Sequence, residues 1–194
     1  MAAIVLAGVN KYTSKSTAEL DSHASMIVIG NQALVIQNTG QSVELNSFSS
    51  DVQGISKVPG VDAVVLYYCL FTSKSYLLVM LNALHIPSMK YNLIPLFILR
   101  EVGLTISEVP KIHCDEPIVE DRSIYDDVTK IWIPLKFDGI FLYFQTLAFT
   151  LDEMQRCDVI EYVLLSPEAE IWDPYSETYA LNEEHIVDAG REIV

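Results

Sequence analysis

The sequence predicts a mainly β fold on three observations. Valine, isoleucine and tyrosine are abundant, with ten tyrosines, and β-branched and aromatic side chains suit a pleated, half-buried surface. Short apolar runs recur between turn signals along most of the chain. One stretch after residue 90 carries the start and stop signals of a short helix. At 194 residues and 51% hydrophobic content, the chain can bury a sizeable core as one domain, or as one domain with an appendage.

The elements follow in order. Met26-Ile27-Val28-Ile29 is an apolar run ended by Gly30-Asn31, a turn signal. Ala33 to Ile36 is closed by Asn38-Thr39-Gly40, and Val43 to Asn46 alternates with the period of a half-exposed strand. Residues 47–60 are rich in Ser and Gly and read as a loop. Val61–Phe71 and Tyr76–Ile86 form a hairpin about the polar turn Thr72-Ser73-Lys74-Ser75. Pro95 suits the first turn of a short helix and Gly103 its stop. Leu104 and Ile106 resume strand, and residues 114–127 form an acidic connector. Ile131–Leu135 and Ile140–Phe144 flank Asp138-Gly139, which predicts a second hairpin. A helical stretch is expected from Asp152 to Cys157, and an acidic tail over 166–194.

Charge is uneven. Residues 1–100 carry six basic and five acidic side chains, whereas 101–194 carry six and twenty-one, within a net charge of −14. Phosphate binding requires a basic stripe, and none is visible, which argues against nucleic acid as a partner of this chain alone. Cys69, Cys114 and Cys157 are odd in number and widely spaced, as in reduced intracellular thiols, and a cytoplasmic location is expected. The apolar opening run Met1–Val9 lacks a basic leader and is shorter than the roughly 20 residues of a membrane span; it reads as a first strand or as part of a longer polyprotein. No membrane partner is expected.

The chemistry centres on Leu20-Asp21-Ser22-His23-Ala24-Ser25. An acid protease needs a carboxylate on a tight loop between strands, a hydroxyl residue beside it to brace the loop, and a small residue further on for close packing. Two such carboxylates about 3 Å apart share one proton, because like charges at that distance cannot both ionise. The bland alternative is an aspartate in a strand-to-strand turn, where Asp-Ser is common.

Downstream, Asn82-Ala83-Leu84-His85-Ile86-Pro87-Ser88-Met89-Lys90-Tyr91-Asn92-Leu93-Ile94 resembles the run that follows the catalytic aspartate in the polyproteins of copia-type retrotransposons. Cys114, Ile124-Tyr125-Asp126 and Phe141-Leu142-Tyr143 look like the hairpin region beyond it. The chain thus resembles, over residues 17–145, the retropepsin-like aspartic protease region of a copia-type Gag-Pol polyprotein. The resemblance implies a retropepsin-like half-barrel with one short helix over 1–110 and a β-hairpin extension over 111–150; beyond about 150 it is absent, and residues 151–194 read from their own composition as an acidic helix or tail. It also implies an aspartic endopeptidase acting on a polypeptide substrate. Asp21 would be the catalytic acid/base, Ser22 the bracing hydroxyl and Ala24 the packing residue. Residues 43–66 would form a flap with its tip near Ser49–Lys57, where Gly54 and Val58 would touch substrate. Asn92-Leu93-Ile94 would pass behind the aspartate loop. No second motif of this kind occurs, so a dyad requires a homodimer with one Asp21 from each copy.

One position departs from the pattern, since His23 stands where the family has glycine. The ring adds bulk and a titratable group where glycine allows close approach of backbone and substrate. The alternative function is therefore an inactive retropepsin-like fold kept for dimerisation or peptide binding. No cofactor and no metal is expected: His113-Cys114 is adjacent, but Cys157 and His185 lie far off, short of a four-ligand zinc set. His85 reads as a core or edge histidine. Isolated glycines exclude a phosphate loop, and no Gly-x-Ser-x-Gly is present.

Overall fold

A computed structural model describes residues 15–45, 54–109, 116, 118–148, 150–155 and 161–168. In chain order the elements are β1 (Lys15–Leu20), β2 (Val28–Ile29), β3 (Leu34–Leu45), β4 (Ile55–Cys69), β5 (Lys74–His85), β6 (Asn92–Ile94), α1 (Leu96–Glu101), β7 (Thr105–Glu108), β8 (Arg122–Asp126), β9 (Ile131–Pro134), β10 (Lys136–Asp138), β11 (Phe141–Leu147), α2 (Leu151–Gln155) and β12 (Glu161–Leu164). A single 3-10 turn, Val119–Asp121, leads into β8. The fold is mainly β, as the composition predicts.

Nine strands make one sheet, ordered β10-β11-β1-β6-β2-β5-β4-β3, with β12 added on β5. A contact between Leu147 of β11 and Leu66 of β4 joins distant strands of that order, so β11-β1-β6-β2-β5-β4 returns on itself as a barrel. Strands β1 and β5 are flanked on both sides, while β10, β3 and β12 each pair with one neighbour. The remaining strands β7-β8-β9 form a separate antiparallel sheet. Ile124, Ile131 and Ile133 from that small sheet join Ala18, Ile94, Leu99 and Phe144 in one apolar core. The Tyr67 hydroxyl donates to the Trp132 carbonyl at 3.3 Å, a polar link between β4 and β9.

Local chemistry accounts for most boundaries. The β4–β5 turn closes with the Ser73 N–H donating to the Cys69 carbonyl at 2.9 Å, Ser73 taking a positive φ. Pro95 stands just before α1, and Gly103 follows it at φ +85, a conformation that glycine adopts without strain. The expected strands 33–36 and 43–46 are one long strand, β3, whose pairing with β4 shifts register around Gly40. Gly40 at φ +79 absorbs the irregularity that its sequence suggests as a stop.

The second hairpin corrects the expectation. Gly139 does sit in a two-residue turn, at φ +60, but the strand before it is β10, with Asp138 opposite Phe141. Residues 131–134 belong to the other sheet and pair with β8. The cause lies in Asp126. Its carboxylate accepts the N–H groups of Val128 and Thr129, each at 3.1 Å, and the Thr129 hydroxyl at 2.6 Å. That network builds a tight 127–130 turn and claims β9 for β8. Part of the expected acidic connector is thus strand and turn.

The helix predicted for 152–157 is α2, over Leu151–Gln155. The strand after it is unanticipated: β12 pairs in parallel with β5, Glu161 opposite Tyr76 through Leu164 opposite Val79. Further along the same edge of β5 lies β2, with Val28 opposite Leu84. Between them the buried Ser166 hydroxyl accepts the Leu81 N–H at 2.6 Å and donates to the Leu81 carbonyl at 3.1 Å. A side chain thereby satisfies the two main-chain groups that neither strand reaches.

Two outcomes follow. Ser166→Ala strands both groups of Leu81, and urea unfolding is expected to show a loss of about 1–3 kcal/mol. Burial, and then the neighbouring Cys69 and Tyr76, raise the Tyr67 pKa above its ordinary value. The folded chain therefore keeps a proton that an unfolded tyrosine loses near about pH 10. This contribution is complete below that pH and declines as pH rises through it. Urea titrations at about pH 9 and about pH 11 are expected to show a shallower alkaline decline for Tyr67→Phe.

Candidate active site

Asp21 is the first residue beyond β1, and its position is fixed from two sides. β1 lies antiparallel to β11, Leu20 opposite Leu142, and parallel to β6, Leu20 opposite Ile94. The Asp21 N–H donates to the Ile94 carbonyl at 3.0 Å, which extends the β1–β6 ladder one step past the strand. Below it Ala18, Leu20 and Ile94 are buried. The backbone of Asp21 is held by the sheet while its side chain, one-third exposed, stays open to solvent.

β6 is itself anchored. Asn92 is fully buried, and its side-chain carbonyl accepts the Gly30 N–H at 3.0 Å. Gly30 is required here by space: a Cβ would stand 2.4 Å from the Met89 carbonyl oxygen. That oxygen also accepts the Asn31 N–H at 3.1 Å. The chain leaving the Asp21 loop through β2 therefore packs closely on the segment that enters β6. The three residues Asn92-Leu93-Ile94 lie beside the aspartate strand.

In the loop, one Asp21 carboxylate oxygen accepts the His23 N–H at 2.8 Å, an Asx turn. The His23 ring is nearly fully exposed, with Nδ1 3.7 Å from the same oxygen. The Ser22 hydroxyl lies 3.2 Å from that Nδ1, so within this one chain it faces its neighbour's ring and not the far side of the loop. Ala24 is half-buried. Asp21, Ser22 and His23 are thus brought together, and His23 is the residue whose effect on the site the motif alone leaves open.

Gly54 and Val58 are on a different element. The β3–β4 hairpin projects with Ser42 opposite Pro59 and Leu45 opposite Ile55. Gly54 is exposed just before β4, and Val58 is buried opposite Val43. The expected flap tip falls partly on residues 46–53, outside the described residues. A cleft of about 20 Å³ between Met26, Gln41, Val43 and Leu84 is room for about one water. The hairpin base therefore faces Met26, in the loop between β1 and β2, and Leu84 of β5. Asp62 secures the hairpin to β5: its carboxylate accepts the Asn82 N–H at 2.9 Å, at a register shift where Asn82 takes a positive φ.

Among the described residues no group of three or more His, Cys, Asp or Glu could hold a metal ion, and His113, Cys114, Cys157 and His185 lie outside them. Likewise no helix among them is long and apolar enough to cross a membrane. Cys69 is a buried free thiol.

What the arrangement offers chemically is one accessible carboxylate on a rigid strand end, bordered by a hydroxyl and an imidazole. No family model, curated protein or solved structure matches this chain.

Proposed function

We propose that this chain is the aspartic endopeptidase region of a copia-type retrotransposon polyprotein, working as a homodimer inside the cell. The observation that carries the reading is the placement of Asp21. It sits at a strand end tied to Ile94, the last residue of the run that resembles the copia-type sequence. A general acid–base carboxylate has to combine a fixed backbone with an open side chain, and Asp21 has both.

In the dimer, the two Asp21 carboxyl groups would hold one proton between them. The ionised one takes a proton from a water, whose oxygen attacks the scissile carbonyl carbon. The protonated one donates to the carbonyl oxygen as it gains charge. Collapse of the tetrahedral intermediate breaks the C–N bond, and a proton passes to the leaving nitrogen. An extended substrate would lie between the aspartate loops and the β3–β4 hairpins.

A second reading, the inactive fold kept for dimerisation or peptide binding, is favoured by His23. Its ring stands beside both the Asp21 carboxylate and the Ser22 hydroxyl, two groups that the enzyme would need free.

Peptide hydrolysis by the full chain, inhibited by pepstatin, tests the first reading. Asp21→Asn is expected to lower kcat by about 10²–10⁴-fold; unchanged cleavage would exclude Asp21 as the acid/base. His23→Gly releases about one hydrogen bond from the pair, and a rise in kcat of about tenfold is expected. A wild-type dimer that never cleaves while His23→Gly does would establish the second reading.

A further inference from the structure

Two cations of this strongly acidic chain line one groove without a carboxylate partner. Arg122, at the start of β8, and Lys136, on β10, border a groove of about 530 Å³ together with Phe71, Ile118, Phe137 and Tyr143. Neither cation makes an ion pair with a described carboxylate. The Arg122 guanidinium lies 5.4 Å from the centre of the Phe137 ring, and Lys136 Nζ donates to the neutral Gln145 side chain at 3.3 Å. Phe71 and Ile118 are 60% and 61% exposed. The cleft of about 540 Å³ beside Ser22, which Phe137 also lines, is different. Its cation, Arg100, is already paired with Glu108 at 3.0 Å.

Apolar walls with two open cations fit a segment that presents carboxylates and aromatic rings together. Glu116, Glu120 and Asp138 are exposed but do not line the groove, and Asp121 spends its carboxylate on the Ile118 N–H at 2.8 Å. A seated carboxylate would touch the two cations and stand farther from those acids, and salt screens the farther charges more strongly.

The chain carries such a segment. Residues 169–194, which follow the last described residue, hold seven acidic side chains against the single Arg191, with Trp172, Tyr175 and Tyr179 among them. The groove is within their reach. Ser166 is bonded to the main chain of Leu81, whereas Phe71 sits in the turn at the other end of β5. Leu81 and Lys74 are seven residues apart on that strand, a span of about 23 Å. A chain of 26 residues spans about 25–30 Å as a coil and about 90 Å at full extension. A tether of matching length presents its ligand at an effective concentration on the order of millimolar. That advantage selects the chain's own segment over a free partner of the same chemistry.

We propose that this groove is an intramolecular docking site for the acidic, aromatic segment 169–194, with carboxylates on Arg122 and Lys136 and aromatic rings against Phe71 and Ile118. The proposal is independent of the chemistry of Asp21.

Hydrogen exchange of the full chain, read by mass spectrometry, tests it. In the wild type the amides of 169–194 are expected to exchange about tenfold or more slowly than free peptide, at every protein concentration. Arg122→Ser combined with Lys136→Ser is expected to speed their exchange about tenfold, while Arg122→Lys combined with Lys136→Arg keeps the charges and the protection. Unchanged protection of β4 and β5 verifies the fold, and Phe71→Ser on the exposed turn replaces the double variant should that unfold. A wild-type segment exchanging at the free-peptide rate would overturn the proposal. So would protection that survives both the double variant and Phe71→Ser, which would seat the segment elsewhere. Protection that fades on dilution would make the segment a ligand of another copy, also against the proposal. Groove amides slowed only by an added acidic peptide would assign the groove to a separate partner and overturn it too.

Discussion

The parallel register between β1 and β6 is the constraint on which the rest of the molecule depends. Parallel neighbours cannot be joined by a tight turn. Some seventy residues therefore leave Leu20, build the β3–β4 and β4–β5 hairpins, and return at Asn92 on the side where β1 needs a partner. The Ile94 carbonyl then receives the Asp21 N–H, and the aspartate loop inherits the rigidity of a central strand. Asn92 and Gly30 reinforce the same point, one by a buried hydrogen bond and the other by lacking a side chain.

The second half of the chain is more than an appendage to this unit. β11 covers the other side of β1, and β12 occupies an edge of β5. With β10, which pairs with β11, the strongly acidic half thereby contributes three strands to the sheet that carries Asp21. Among its described charges, Asp126 organises a turn and Glu161 pairs with Lys74 at 2.8 Å. Exposed pairs of that kind add little stability. Apolar side chains such as Leu142, Phe144 and Val163 do the binding.

Features set by a few neighbouring residues were legible in the sequence. Pro95 and Gly103 bracket α1, a turn over 70–73 joins β4 to β5 two residues before the predicted 72–75, and Asp138-Gly139 does mark a hairpin. Pairings set by distant residues were not. Nothing in Glu161–Leu164 distinguishes a strand parallel to β5 from a connector, because its partner is eighty-five residues away. The choice between β8 and β11 as partner of β9 turned on the side chain of Asp126, which composition counts only as one acid among many. For the site, Asp21 stood out by motif. The groove that Leu20, Leu96, Phe137 and Ile140 line beside it did not, since they come from β1, α1, β10 and the turn after it and each reads as ordinary apolar content.

Leu135 alone lies between the end of β9 and the start of β10, and these two strands belong to different sheets. One residue spans about 3.3–3.6 Å, so the linkage has almost no slack. The small β7-β8-β9 sheet is held on the barrel by packing as well, since Leu135 is buried and Ile124, Ile131 and Ile133 share the barrel's apolar core. A displacement of the Gly139 turn reaches Pro134 through β10 and the single residue Leu135, and so meets the partner strand that carries Ile124.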